Sequence, residues 1–219
     1  MKVVSYGLWG DNPKYCVGAV RNAEDCAVFY PDWVPVFYHA ANVPRKYLDG
    51  LVASNPKTRL ISMPEPYDWT AVLWRFQIVD DGRVDTAIFR DTDSRISVRE
   101  VLAVRAWEES SKLAHIMRDH PQGHRQNIMP GMFGLKRGAV RDAKGLMEKF
   151  GATDRYGTDY VFFDSIIYPI VKDVAMVHDE FFDKKPFPSP RRGREFVGQV
   201  FDEFDRPNQG HASVFADQN

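Results

Sequence analysis

The chain has 219 residues, 44% of them hydrophobic and 27% charged, with 29 Lys and Arg against 30 Asp and Glu for a net charge of −1. That balance belongs to an ordinary globular domain and excludes a disordered, collagen-like or low-complexity chain. Without a basic excess a dedicated duplex-DNA binder is also excluded, because such proteins neutralise many phosphates with Lys and Arg.

Residues 3–6 read as a short strand ending at Gly7, and the apolar stretch there is too short for a signal peptide. No apolar run approaches the ~20 residues that span a bilayer, so the expected location is the cytoplasm. Asn12-Pro13 supplies an N-cap and a proline at the first helical position, and Tyr15, Ala19, Val20, Ala23 and Ala27 follow at helical spacing. Cys16 and Cys26 fall on that helix, roughly 15 Å apart by helical rise, too far for a disulfide. They are expected as reduced thiols and lack the spacing of a zinc pair. Residues 36–38 read as a second strand, 44–53 as a short helix and 59–63 as a third strand. Trp69, Val72, Leu73, Phe76 and Val79 form an apolar helix face.

Residues 84–89 make the next strand, which runs into Arg90-Asp91-Thr92-Asp93-Ser94-Arg95. Ser97 and Glu100 form a capping-box signature, predicting a helix to about residue 109. A strand over 113–117, a polar loop over 120–127 and a strand over 132–135 follow. Helices are expected near 140–150 and 159–168, the second closed by Pro169. A last strand over 174–177 ends at His178. From Lys184 onward proline, glycine and charge dominate, which divides the chain into a domain over 1–183 and an extended tail over 184–219 that lies on the domain or is partly disordered.

Strands separated by helices predict an α/β fold, a mostly parallel central sheet with helices on both faces. Ligands of such folds bind beyond the carboxyl ends of the strands. The most unusual polar clusters fall at those ends: Asp91 with Asp93, Arg118-Asp119-His120, and His178. Two carboxylates at i and i+2 past a buried strand repel each other and lose solvation, so a cation must compensate. Arg90 and Arg95 are candidates; so is a divalent metal, for which hard oxygen ligands suit Mg²⁺ or Mn²⁺. The plainer reading is a surface turn whose aspartates cap a helix.

Here the chain resembles a family. Asp91-Thr92-Asp93 after an apolar strand looks like the D-x-D motif of GT-A glycosyltransferases, whose fold is that of nucleotide-diphospho-sugar transferases. Phe89-Arg90-Asp91-Thr92-Asp93-Ser94-Arg95, Arg99-Glu100, His115-Ile116-Met117-Arg118-Asp119-His120-Pro121 and Met129-Pro130-Gly131-Met132-Phe133-Gly134-Leu135 extend the likeness. They are similar to small GT-A enzymes of bacterial polysaccharide loci and of large DNA viruses of algae. The resemblance covers roughly residues 1–180.

It implies a metal-dependent transferase that moves a sugar from a nucleotide diphosphate donor, a UDP-sugar in the first place, to a hydroxyl of a glycan or glycoprotein. Asp91 and Asp93 would hold Mn²⁺ or Mg²⁺, with Asp91 also facing the donor. His178 would be a third metal ligand, since an imidazole suits Mn²⁺ and related retaining enzymes use a late histidine there. The segment Tyr6-Gly7-Leu8-Trp9-Gly10 would hold the nucleotide base, with Tyr6 and Trp9 offering aromatic faces and the glycines allowing close backbone approach. Arg75 would pair with a phosphate or with the D-x-D carboxylates. Asp119 matches an aspartate that bonds sugar hydroxyls. Asp159, in Gly157-Thr158-Asp159-Tyr160, matches the acidic segment facing the donor sugar, although Tyr160 stands where glutamine is usual. The late histidine and the acidic pair suggest retention of configuration; under inversion one carboxylate would serve as general base.

His115, His120 and His124 cluster in sequence but fit no recognised zinc pattern. Two rival readings stand beside the transferase. One is a haloacid-dehalogenase-like phosphatase, in which the first Asp of D-x-D is the nucleophile; that motif normally opens its domain, whereas Asp91 lies mid-chain. The other is a module that binds a nucleotide sugar or glycan without turning it over. The run Arg191-Arg192-Gly193-Arg194 is too short to imply nucleic acid.

Overall fold

A computed structural model describes residues 1–215. Among these residues there are seven strands: β1 (Lys2–Leu8), β2 (Trp33–His39), β3 (Arg59–Ser62), β4 (Thr86–Arg90), β5 (Ala114–Arg118), β6 (Met132–Lys136) and β7 (Ala175–Asp179). They form one sheet in the order β3-β2-β1-β4-β6-β5-β7. Every pairing is parallel except those of β6, which runs antiparallel to both β4 and β5. The mostly parallel α/β sheet expected from the sequence is therefore present. Its central strands are covered on both faces, so they read as continuous apolar runs without alternation. All five residues of β4 are buried, Arg90 among them, whose Nε donates to Glu100 at 2.7 Å.

Helix α1 (Pro13–Phe29) begins as the Asn12-Pro13 pair predicts: the Asn12 side chain accepts from the Lys14 amide. Its buried face carries Gly18, Ala19, Asn22 and Ala23. Small residues there let the helix press against the turn after β4, where a Cβ on Gly18 would collide with the Thr92 carbonyl. Both cysteines lie on this helix, buried and unpaired. Helices α2 (Arg45–Ser54) and α3 (Val98–Glu109) follow the predicted limits closely, and Ser97 caps α3 by accepting from the Glu100 amide. The apolar face beginning at Trp69 winds as a 3₁₀ helix over Trp69–Asp80.

After α4 (Ala143–Phe150) the expectation that Pro169 closes a helix is corrected. Helix α5 (Thr158–Phe162) passes through a π turn (Phe163–Ile167) into α6 (Tyr168–Val171), so Pro169 lies inside a continuous helical run. Proline lacks an N–H and its ring crowds the carbonyl four residues back; a wide π turn just before it absorbs both defects.

The segment after Lys184 packs on the domain. Phe187, Phe196, Val197, Ala212 and Phe215 are buried, and the Phe196 and Phe215 rings lie 4.8 and 5.4 Å from that of His120. A single antiparallel bridge joins Ser94 to Val200.

Candidate functional site

A cleft of about 420 Å³ opens at the carboxyl ends of β1 and β4. Its floor is Gly7 to Asn12 on one side and Asp91 to Asp93 on the other; Asp159 closes the rear. The parallel pairing of β1 with β4, in register from Lys2 with Thr86 to Ser5 with Phe89, brings these segments together.

Arg75 organises the acids. It is buried on the 3₁₀ helix, and its Nη1 donates to Asp91 Oδ1 at 2.5 Å and to the Arg90 carbonyl at 2.9 Å. Its Nη2 lies 3.4 Å from Asp159 Oδ2. Asp91 remains half open to the cleft, with 51% of its side chain exposed. Asp93 is enclosed and forms an ion pair with Lys14 at 2.7 Å. Burial, and then the negative charge of Asp91, push the Asp93 carboxyl above its ordinary value despite Lys14. Burial likewise raises Asp159, against the pull of Arg75.

The turn bearing Asp91 and Asp93 is fixed from beneath. Asn22 Nδ2 lies 3.1 Å from the Thr92 carbonyl, 2.8 Å from that of Ser94 and 2.9 Å from that of Gly18. Ser94 Oγ donates to the Asp91 carbonyl at 2.9 Å. From the tail, the Phe201 amide donates to the Asp93 carbonyl at 2.8 Å. Gly131 passes so close under Asp91 that a Cβ there would overlap its carboxylate. The opposite wall is aromatic. Trp69 meets Trp9 and Tyr156 edge-on at 6.2 and 5.1 Å, and Tyr15 and Tyr160 complete it.

Of the residues singled out in the sequence, Leu8, Trp9, Arg75, Asp91, Asp93 and Asp159 meet in this cleft. Leu8 contributes backbone, since its side chain is buried. Tyr6 is turned into the core and stacks on Phe37 at 4.6 Å, so its face is not offered to a base. Asp119 is wholly buried and its carboxylate is filled: Arg99 Nε at 2.9 Å, Arg99 Nη2 at 3.1 Å, Arg191 Nη2 at 2.6 Å and the Val197 amide at 2.9 Å. His178 pairs with His115, Nδ1 to Nε2 at 2.8 Å, beside Phe187. Burial pushes it down to about 4, so it is neutral. Its strand stands three places from β4 across the sheet, roughly 14 Å at the usual strand spacing. Neither Asp119 nor His178 lines the cleft.

The three-histidine cluster divides. His115 joins His178, while His124 Nδ1 accepts the Asp119 amide and His120 Nδ1 accepts the Gln122 and Gly123 amides. Residues that sequence reading missed are Lys14, Asn22, Tyr15, Trp69, Tyr156, Gly131 and Val200. The Asn12-Pro13 start, which fixes Lys14 in the first helical turn, was the one available signal.

A divalent cation fits this cleft on charge. Among the described residues the cleft is lined by Asp11, Asp91, Asp93 and Asp159 against Arg75, with Lys14 paired to Asp93, an excess of two negative charges. Among the described residues no three His, Cys, Asp or Glu converge as a closed cage. Two carboxylates with open positions are what Mg²⁺-like sites use when substrate phosphates supply further ligands.

No family model and no curated protein matches the chain. Solved structures do. A glycosyltransferase involved in the glycosylation of the major capsid of PBCV-1 is similar over 82% of this chain and 81% of its own, with TM-score 0.54 and 12% identity. The mannosyltransferase PcManGT from Pyrobaculum calidifontis, in complex with GDP-Man and Mn²⁺, is similar over 88% of this chain and 58% of its own, with TM-score 0.55 and 14% identity. Glucosyl-3-phosphoglycerate synthase from Mycobacterium tuberculosis, in complex with Mn²⁺, UDP-glucose and phosphoglyceric acid, is similar over 80% and 68%, with TM-score 0.51 and 13% identity. The fold is the GT-A glycosyltransferase fold.

Proposed function

We propose that this chain is a metal-dependent glycosyltransferase that moves a sugar from a nucleotide diphosphate donor to a hydroxyl of a glycan or glycoprotein. A UDP-sugar is the favoured donor and retention the favoured outcome, both by the family resemblance. The observation that carries the reading is the uncompensated acid at the strand ends: Asp91 open, Asp93 enclosed, and four carboxylates against two cations. A bare diphosphate would be repelled there. With Mn²⁺ or Mg²⁺ on Asp91 and Asp93 the same cleft attracts it, and the ion neutralises the departing diphosphate.

The chain's own groups do the rest. Arg75 holds Asp91 and reaches Asp159, aiming both carboxylates. Asp159, at the first turn of α5, stands where it can accept sugar hydroxyls or stabilise positive charge at the anomeric carbon. Trp9, Tyr15 and the Trp69–Tyr156 corner offer the faces on which a base can stack. Asp119 supports the site from behind, and His178 is not assigned to the metal. The phosphatase alternative is disfavoured because its nucleophilic motif normally follows the first strand of the domain, whereas Asp91 follows the fourth.

Calorimetry of UDP binding with and without Mn²⁺ tests the proposal. Wild type is expected to bind UDP only with the metal, and Asp91→Ala or Asp93→Ala to lose about 100-fold or more while remaining folded. Wild-type affinity in both variants would sink it. Donor titration with GDP in parallel decides between the nucleotides.

A further inference from the structure

Lys14 pairs with a carboxylate of the cleft, and the reading above gives it no role beyond its charge. It sits in the first turn of α1, held there by Pro13 and by its own amide, which donates to Asn12 Oδ1 at 3.0 Å. Its Nζ is 2.7 Å from Asp93 Oδ2 and 5.1 Å from the centre of the Tyr15 ring, which lines the cleft. The side chain is 30% exposed, whereas that of Asp93 is 13% exposed. Lys14 is therefore the more exposed member of the pair, and its ammonium holds one of the two oxygens with which Asp93 could bind another cation. Lysine suits an exchangeable contact: it is a compact, strongly hydrated charge on a flexible stem, without the planar fork that locks arginine to a carboxylate. Arg75, buried and doubly engaged, is the fixed cation of the site; Lys14 is the movable one.

We propose that Lys14 is the exchangeable counter-ion of Asp93. It neutralises that carboxylate in the ligand-free cleft, cedes it to the divalent cation, and contacts the donor diphosphate with the ammonium so released. This rests on the donor-site reading above and adds a residue to it. No bond is made or broken in the exchange. Its thermodynamic consequence is that metal and lysine compete for one carboxylate, while lysine and diphosphate attract.

Two affinities of Lys14→Gln must then move in opposite directions. Mn²⁺ alone, followed by the electron paramagnetic resonance of the free ion, is expected to bind about three- to tenfold more tightly than to wild type, because its competitor is gone. UDP at saturating Mn²⁺, followed by calorimetry, is expected to bind about tenfold more weakly. Lys14→Arg should keep the UDP contact. A residue that merely props the turn would weaken both ligands or neither. Thermal unfolding checks that the variant is native, and Lys14→Met, uncharged and of similar length, reports the same two affinities should the glutamine fold poorly. If neither neutral variant tightens Mn²⁺, or if UDP binding stays at the wild-type level, the assignment is overturned. A wild-type chain that binds neither Mn²⁺ nor UDP overturns the donor site itself, and the role of Lys14 with it.

Discussion

Asp119 Oδ2 accepts the backbone amide of Val197 at 2.9 Å, across 78 residues of sequence. The end of β5 is thereby tied to the tail, and the tail three residues later pairs Val200 with Ser94 beside the turn that carries Asp91 and Asp93. Val200 itself is part of the cleft wall. A buried carboxylate thus reaches the candidate site through the segment it anchors.

Removing that charge should be costly. Asp119→Asn keeps the shape but leaves Arg99 and Arg191 facing a neutral group in a buried setting. Losing one partner of a buried ion pair typically costs about 3–5 kcal/mol. The midpoint of urea unfolding should fall accordingly, and limited proteolysis should begin in the tail. An unchanged midpoint would refute the anchoring role.

Asn22 should matter to the metal without touching it. Its Nδ2 serves the carbonyls of Thr92 and Ser94, which flank Asp93. Asn22→Ala leaves those buried acceptors unmet, at about 1–3 kcal/mol. Asn22→Asp turns a carboxylate toward three carbonyl oxygens and should be worse still. Both variants should show weaker Mn²⁺ binding at temperatures where circular dichroism finds them folded; metal affinity equal to wild type would separate Asn22 from the turn.

Asp25 gives a pH signature unrelated to the site. Burial on α1 pushes its carboxyl up to about 6, only partly offset by Arg95. A raised carboxyl pKa means that the folded state holds the proton more tightly than the unfolded chain does. The associated stability is therefore present at low pH and is lost as pH rises from about 4 to about 6. Asp25→Asn removes this titration. Its stability relative to wild type should grow by about 1 kcal/mol between about pH 4 and pH 7, a figure reduced from the full shift because the group is partly solvated. A difference that stays constant with pH would contradict the assignment of the burden to Asp25.

The sequence by itself determined the α/β alternation, the start of α1 at Asn12-Pro13, the cap of α3 at Ser97, and the position of Asp91 and Asp93 after a buried strand. Those signals are local: apolar periodicity, a capping side chain and a proline each act within a turn or a strand. The tertiary structure decided the rest, because it depends on which distant segment arrives beside each charge. Asp119 and His178 also stand at strand ends, yet Arg99, Arg191 and Val197 consume one and His115 the other. Tyr6 precedes the cleft by one residue, but the covered face of β1 stacks it on Phe37. Pairing of Arg75 with Asp159 spans 84 residues, and that of Lys14 with Asp93 joins the first helix to the turn after the fourth strand. A carboxylate's partner is set by a few ångströms of packing between such segments, and spacing along the chain carries no measure of that distance.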